Sequence, residues 1–149
     1  MRYTSIVLFL LISVGGGLLV GSQSMPDEWY AGLVKPSFNP PGWIFGPVWT
    51  ALYILIGYAG ARIWARELNL PIQFWFTQMI LNFLWSPVFF SFHSPGTALL
   101  VIGALLITVL GFIAATWRSD RVSALLFVPY AAWVGFATVL NFEIWRLNG

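Results

Sequence analysis

Residues 97–117 read TALLVIGALLITVLGFIAATW, a run of 21 residues with no charge and no proline. A helix that crosses the hydrocarbon core of a bilayer needs about 20 residues at a rise of 1.5 Å each, so this run spans a membrane by itself. A helix is preferred over a barrel strand, because barrel side chains would alternate in polarity over about ten residues. Working outward, further apolar stretches lie at residues 4–22, 43–65, 72–92 and 122–145. The separators are Gln23–Pro41, Arg66–Pro71, His93-Ser94-Pro95-Gly96 and Arg118-Ser119-Asp120-Arg121. Each carries charge, proline or glycine where the backbone must leave the helix. The expectation is an all-α membrane protein, one five-transmembrane-helix bundle over residues 1–149 with a long first loop at residues 23–42.

Composition agrees with that reading. Hydrophobic residues make up 59% of the chain and charged residues 8%, against roughly 25% charged in a soluble domain. The mean hydropathy is +0.82, more apolar surface than one core of this size can hide. Seven Lys plus Arg against five Asp plus Glu leave no basic patch, so nucleic-acid binding is excluded as a leading class. The chain has no cysteine and one histidine. Disulfides, thiolate haem ligation, Cys-ligated clusters and a bis-His metal site within one chain are therefore not expected, and no cofactor is required. HExxH, GxSxG and P-loop patterns do not occur, and His93 reads as a surface residue. No row of acids or arginines crosses the membrane interior, which argues against a proton pump or a voltage sensor.

Arg2, Arg62, Arg66, Arg118 and Arg121 fall on the N-terminal side of the bundle, and Lys35 and Arg146 on the other. In a bacterial inner membrane that bias places the N-terminus in the cytoplasm. Residues 1–22 also resemble a signal peptide, since Arg2 precedes an apolar run ending in small residues; no A-x-A site closes it, and it is read as a span. The spacing Ser13-x-x-x-Gly17-x-x-x-Gly21 puts small residues on one stripe, suited either to a dimer contact or to a tight crossing within the chain.

Nine tryptophans are present. An indole is at home at headgroup depth, and Trp29, Trp43, Trp64, Trp75, Trp117 and Trp145 fall in the first loop or near helix ends. Trp49, Trp85 and Trp133 do not. They lie about 9, 10 and 18 Å in from the face that carries the first loop. Tyr53 follows Trp49 by four, Asn82 and Phe89 flank Trp85 at three and four, and Ala137 and Leu140 follow Trp133 by four and seven, so each set forms one helical stripe. Gln78, Asn82 and Ser86 repeat every four residues, and an amide stripe in hydrocarbon must look inward. Two readings stay open: hydrogen bonding between helices with aromatics filling the core, or a cavity lined by indoles and an amide. Such a cavity suits a large, flat, apolar ligand with polar edges, as tetrapyrroles and sterols are. Pro87 and Pro129 would kink their helices near that level. The first loop is a candidate lid, stiffened by Pro36, Pro40 and Pro41, anchored by Trp29 and Tyr30, with Lys35 available to a ligand carboxylate. Glu143 and Arg146, three apart, read as an interfacial ion pair rather than as catalytic groups.

Ordered blocks of sequence carry a family likeness: Trp29-Tyr30; Lys35-Pro36-Ser37-Phe38-Asn39-Pro40-Pro41-Gly42-Trp43; Gly46-Pro47-Val48-Trp49-Thr50; Leu81-Asn82-Phe83-Leu84-Trp85-Ser86-Pro87-Val88-Phe89-Phe90; Pro129-Tyr130-Ala131-Ala132-Trp133; and Ala137-Thr138-Val139-Leu140-Asn141-Phe142. The chain resembles the translocator protein family, also called the tryptophan-rich sensory protein or peripheral benzodiazepine receptor family. The resemblance implies a five-helix bundle, usually dimeric, that binds porphyrins such as protoporphyrin IX and haem, sterols or lipids, and isoquinoline carboxamide and benzodiazepine-type ligands. Carried over by motif, its pocket falls on Tyr30, Pro40, Trp49, Tyr53, Asn82, Trp85, Trp133 and Ala137, with Phe89 joining from the stripe above. The sterol-recognition motif maps to Leu140, Phe142 and Arg146, with Phe142 where the motif wants tyrosine. Light-driven breakdown of protoporphyrin by some bacterial members maps to Trp49 and Trp133. Outer-membrane and mitochondrial addresses also occur in the family. Three functions follow as expectations: a tetrapyrrole sensor or carrier, a photo-oxidative enzyme, and a sterol- or lipid-binding structural protein.

Overall fold

The computed structural model describes residues 2–149, and among them there are helices and no strands. We number the helices α1 (Tyr3–Gln23), α2 (Glu28–Ala31), α3 (Gly42–Ala65), α4 (Asn69–Ser86), α5 (Pro95–Thr116) and α6 (Arg121–Asn148). The five long helices lie within a few residues of the expected spans. Four of them, α1, α3, α5 and α6, are long and apolar enough to cross a bilayer on their own. The exception is α4, which carries Asn69, Gln73, Thr77, Gln78 and Asn82. It enters the bundle because neighbouring helices take up the two buried amides, Gln78 and Asn82, as described below.

Around the bundle α1 packs on α3, α3 on α6, α6 on α5, α5 on α4, and α4 returns to α1. The last helix thus inserts between α3 and α5 and closes the ring. Its interior is built from Ile56 of α3, Trp75 and Met79 of α4, Ile102, Val109 and Phe112 of α5, and Phe127, Tyr130 and Val134 of α6. Phe112 and Phe127 stack with ring centroids 3.9 Å apart at the α5–α6 contact. The outer surface is apolar as well: Leu100 is 76% and Ile107 73% exposed. Large side chains left on that side belong against acyl chains.

The small-residue stripe of α1 serves a crossing inside the chain. The Ser13 hydroxyl is shared between the carbonyls of Phe9 (3.0 Å) and Tyr53 (2.8 Å). Gly57 of α3 faces it; a Cβ there would sit 2.5 Å from Ser13 Oγ and 3.1 Å from Leu10 Cα, so only glycine admits this backbone approach. A Cβ on Gly17 would overlap the Tyr53 ring, whereas Gly21 faces open space.

Two local expectations are corrected. Trp75 is not interfacial: it is fully buried, its indole N–H donates to the Ile56 carbonyl at 2.8 Å, and Phe9 meets its ring edge-on at 4.8 Å. The reason is that α4 starts at Asn69, three residues ahead of the expected boundary, which sinks Trp75 about 9 Å along the helix. Pro87 produces a π-helical turn, Pro87–Ser91, rather than a simple kink, widening the helix where its missing N–H breaks the ladder. Pro129 sits on an exposed side of α6, which runs through it unbroken.

Candidate functional site

Three helices bring the inward amides and phenols together. The Tyr53 hydroxyl donates to Asn82 Oδ1, Asn82 Nδ2 donates to Tyr130 Oη, and the Tyr130 hydroxyl donates to Gln78 Oε1, each at 2.7 Å. The chain of bonds joins α3, α4 and α6 without a single formal charge. In a low-dielectric interior such a network is stable only when its members are satisfied. Gln78 Nε2 has only the Met79 sulfur, at 3.7 Å. The third member of the stripe, Ser86, donates instead to the Ser24 carbonyl at 3.3 Å and ties α4 to the start of the first loop. The amide stripe therefore works as interhelical hydrogen bonding.

The aromatic residues lie beside that network in two groups. In the first, Trp49 stacks on Tyr53 at 5.6 Å and meets Trp133 edge-on at 6.4 Å, with rings nearly perpendicular at 86°. Trp133 in turn touches Phe45 at 5.7 Å and Phe136 at 5.6 Å. In the second, Trp85 packs on Phe89 at 5.2 Å and Phe90 at 5.8 Å. Trp85 borders both core clusters. Trp49 and Trp133 are in direct edge contact, and both rings stay partly exposed. Ala137 is buried on the Trp133 face of α6.

The indole N–H groups differ in a way that matters. Trp85 donates to Asn141 Oδ1 at 2.9 Å, and Asn141 Nδ2 passes the connection to the Pro95 carbonyl at 2.8 Å. Trp133 Nε1 is buried and has no acceptor. The only other buried side-chain polar atom without a partner among the described residues is Asn39 Oδ1, in the first loop.

That loop is fastened over the same end of the bundle. Asp27 caps α2 by accepting from the Tyr30 N–H at 3.2 Å, and its other oxygen meets His93 Nε2 at 3.2 Å. The Tyr30 N–H, partly opposed by desolvation and reinforced by His93, holds the Asp27 carboxyl below its ordinary value. The Trp29 indole stacks on the His93 ring at 4.4 Å. Tyr30 presents its edge to Phe90 at 5.3 Å and to Phe89 at 6.1 Å. Phe38 reaches Phe136 at 6.3 Å, so the loop roofs the Trp133 group, and Pro40 is half-buried beside it in sequence. Further along, the Asn148 amide clamps Val34 on both sides: it accepts from the Val34 N–H at 2.9 Å and donates to the Val34 carbonyl at 2.8 Å. Lys35 lies over the Tyr30 ring, 4.5 Å from its centroid, and donates to the Leu33 and Ala31 carbonyls.

The sterol-motif residues do not share a face. Leu140 is buried, while Phe142 and Arg146 are exposed and Arg146 is paired with Glu143. Two participants escaped the sequence reading, Tyr130 and Asn141. Tyr130 precedes Trp133 by three on α6 and so shares its stripe, which was the available signal; for Asn141, the Trp85 N–H across the bundle gave none.

The family model for the TspO/MBR family matches residues 5–146. A tryptophan-rich sensory protein of Cereibacter sphaeroides is 39% identical over 145 residues, covering 97% of this chain and 92% of the relative. A tryptophan-rich protein TspO of Archaeoglobus fulgidus is 42% identical over 148 residues, covering 97% and 94%. The human translocator protein is 39% identical over 146 residues, covering 89% and 83%. With a matched model across nearly its whole length and a helical bundle of apolar spans to go with it, the chain belongs to the TspO/MBR family of membrane proteins.

Proposed function

We propose that this protein is a sensor or carrier that binds tetrapyrroles such as protoporphyrin IX and haem, and related flat apolar ligands, between α3, α4 and α6 beneath the first loop. The observation that carries the reading is the buried Trp133 indole N–H, which lies beside Trp49 and lacks an acceptor. An unpaired buried donor costs about 1–3 kcal/mol, and a ligand carboxylate or ring carbonyl would satisfy it. Indole and phenol faces supply the remaining contact with a conjugated ring at little cost in side-chain entropy. Because Trp49 and Trp133 touch, a ligand that enters between them must part the two rings, and the loop over Phe136 must lift to admit it. His93, the single histidine, is held by Asp27 and Trp29 at the loop, so the binding rests on ring contact and not on iron ligation.

Titrating protoporphyrin IX into the purified protein and following its absorbance tests this. Affinity should fall about tenfold or more in a Trp49→Phe, Trp85→Phe, Trp133→Phe variant, and haem should bind with an affinity similar to that of the metal-free ring. Unchanged affinity in the triple variant would reject the site.

The perpendicular contact of Trp49 and Trp133 favours a second reading, in which illumination of bound porphyrin draws an electron from an indole at ring contact. Light should then yield a spectrally distinct product that disappears in Trp133→Phe; bleaching identical to that of the free dye would count against it.

A further inference from the structure

The two buried side-chain atoms that lack a partner among the described residues are of opposite kind: Trp133 Nε1 is a donor and Asn39 Oδ1 an acceptor. Asn39 follows Phe38, whose ring meets Phe136 of α6 at 6.3 Å, and the same stretch of chain reaches α6 again at Phe45, 5.7 Å from the Trp133 ring. The segment that carries Asn39 is therefore held against α6 on either side of that residue. Its backbone N–H donates to the Pro36 carbonyl at 3.1 Å and its Nδ2 to the Pro40 carbonyl at 3.4 Å. Those bonds set the amide's orientation, because a flip would turn its oxygen against the Pro40 oxygen. A buried acceptor left open costs free energy just as the open indole N–H does.

Few charges surround this pair. Among the described residues no charged side chain lies on α4 or α5, on α3 before Arg62, or on α6 between Arg121 and Glu143. Arg62 is held by Asp120, and Arg146 by Glu143. In the first loop Lys35 lies over Tyr30 and donates to backbone carbonyls, while the other charged residues, Asp27 and Glu28, are acidic. His93, at the turn into α5, faces Asp27. The Tyr53 and Tyr130 hydroxyls are spent inside the amide network. A carboxylate entering here would exchange its hydration for neutral indole N–H groups and would meet the Asn39 oxygen, which repels it. Burial without a counter-charge favours the neutral acid.

We infer that a carboxyl-bearing ligand is held in this site as the protonated acid: a C=O accepts from Trp133 Nε1 and an O–H donates to Asn39 Oδ1. The inference rests on the tetrapyrrole reading above and adds a selection rule to it, with Asn39 as a specificity-determining residue. A primary carboxamide offers the same donor and acceptor and does not ionise, whereas a methyl ester keeps the acceptor and has no donor. Binding of the acid takes up a proton, so its affinity rises as pH falls toward the carboxyl's own pKa.

Protoporphyrin IX, its dimethyl ester and its diamide, titrated into the full chain in phosphatidylcholine nanodiscs against protein-free nanodiscs, test this. Between about pH 8 and 6 the affinity for the free acid should rise about tenfold per unit for each acid group held. The ester and the diamide, which report any titration of the protein, His93 included, should stay level. At the upper pH the diamide should bind about fivefold more tightly than the ester, the size of preference that one neutral hydrogen bond gives. Asn39→Leu should remove that preference; partition into the lipid is common to wild type and variant and cancels. Trp133→Phe should weaken all three ligands. An acid affinity that does not change with pH, or a diamide preference that is absent from the wild type or survives Asn39→Leu, would overturn the inference and leave the tetrapyrrole reading standing. No change for any of the three ligands in Trp133→Phe would reject the aromatic site, and the inference with it. The pH profile and the ligand series on the wild type decide the matter even where a variant fails to fold.

Discussion

The two ends of the bundle are held in opposite ways. At the end where α3 finishes and α6 begins, a carboxylate only 3% exposed, Asp120, receives two bonds from Arg62 at 2.8 and 3.1 Å and one from Ser123. Arg66 adds a donor to the Ser119 carbonyl. Charge, once desolvated, tolerates little displacement, so this end is fixed. At the other end, neutral amides, phenols and ring edges hold the helices, and the first loop is fastened by Asn148, by the Asp27–His93–Trp29 set and by the Ser86 bond to the Ser24 carbonyl. Aromatic contacts and neutral hydrogen bonds re-form at small cost after a shift. Rigidity lies at one end and adaptability at the other, and the aromatic site lies on the adaptable side.

Asp120→Asn should break this contrast most severely. Removing one partner of the pair leaves the Arg62 guanidinium without its counter-charge and should cost about 3 kcal/mol of stability, read as a lower Tm, with protoporphyrin affinity unchanged. Burial alone would raise the Asp120 pKa, but Arg62, Ser123 and Arg66 outweigh it and hold the carboxyl below its ordinary value of 3.8. Its contribution is therefore complete above 3.8 and disappears as pH falls through the lowered folded value. The Tm of the wild type should drop in that acid window, and that of Asp120→Asn should drop less. A fall in affinity as large as the fall in stability would erase the division of labour.

Asn82→Leu is next in size. It strips partners from the Tyr53 and Tyr130 hydroxyls and should cost about 2 kcal/mol, and here affinity and Tm should fall together. The smallest stability effect belongs to Asn148→Ala, at about 1 kcal/mol or less. Its readout is the Val34 amide, whose hydrogen-exchange protection should vanish, and protoporphyrin should bind faster because the loop lifts more easily. Unchanged exchange at Val34 would show that the loop is fastened elsewhere.

How far the sequence carries depends on whether a feature is local. The run at residues 97–117 identifies a span without any partner, and helix ends marked by Ser94-Pro95 or Asp120 fall within a few residues of expectation. Trp75 was misplaced because depth depends on where α4 starts, and Leu68-Asn69-Leu70-Pro71 gives a weak start signal. The inward direction of Gln78 and Asn82 was readable from the cost of an amide in hydrocarbon. Their partners Tyr53 and Tyr130 depend on α6 closing the ring between α3 and α5, a long-range fact that no local pattern encodes. The Arg62–Asp120 pair, 58 residues apart, is hidden for the same reason; by sequence, Arg62 is one more charge at a helix end. The close contact between Trp49 and Trp133 is a matter of side-chain packing and lies beyond any spacing rule.

The central claim is that the Trp133 N–H awaits a ligand acceptor. Labelling the tryptophans with ¹⁵N and following their indole N–H resonances during a protoporphyrin IX titration, with Trp133→Phe as the assignment control, measures it directly. The Trp133 signal should move downfield as a hydrogen bond forms, while Trp75, bound to the Ile56 carbonyl, should stay where it is. A Trp133 resonance that does not move at saturating protoporphyrin, with the shifts confined to Trp29 or Trp145, would contradict the account.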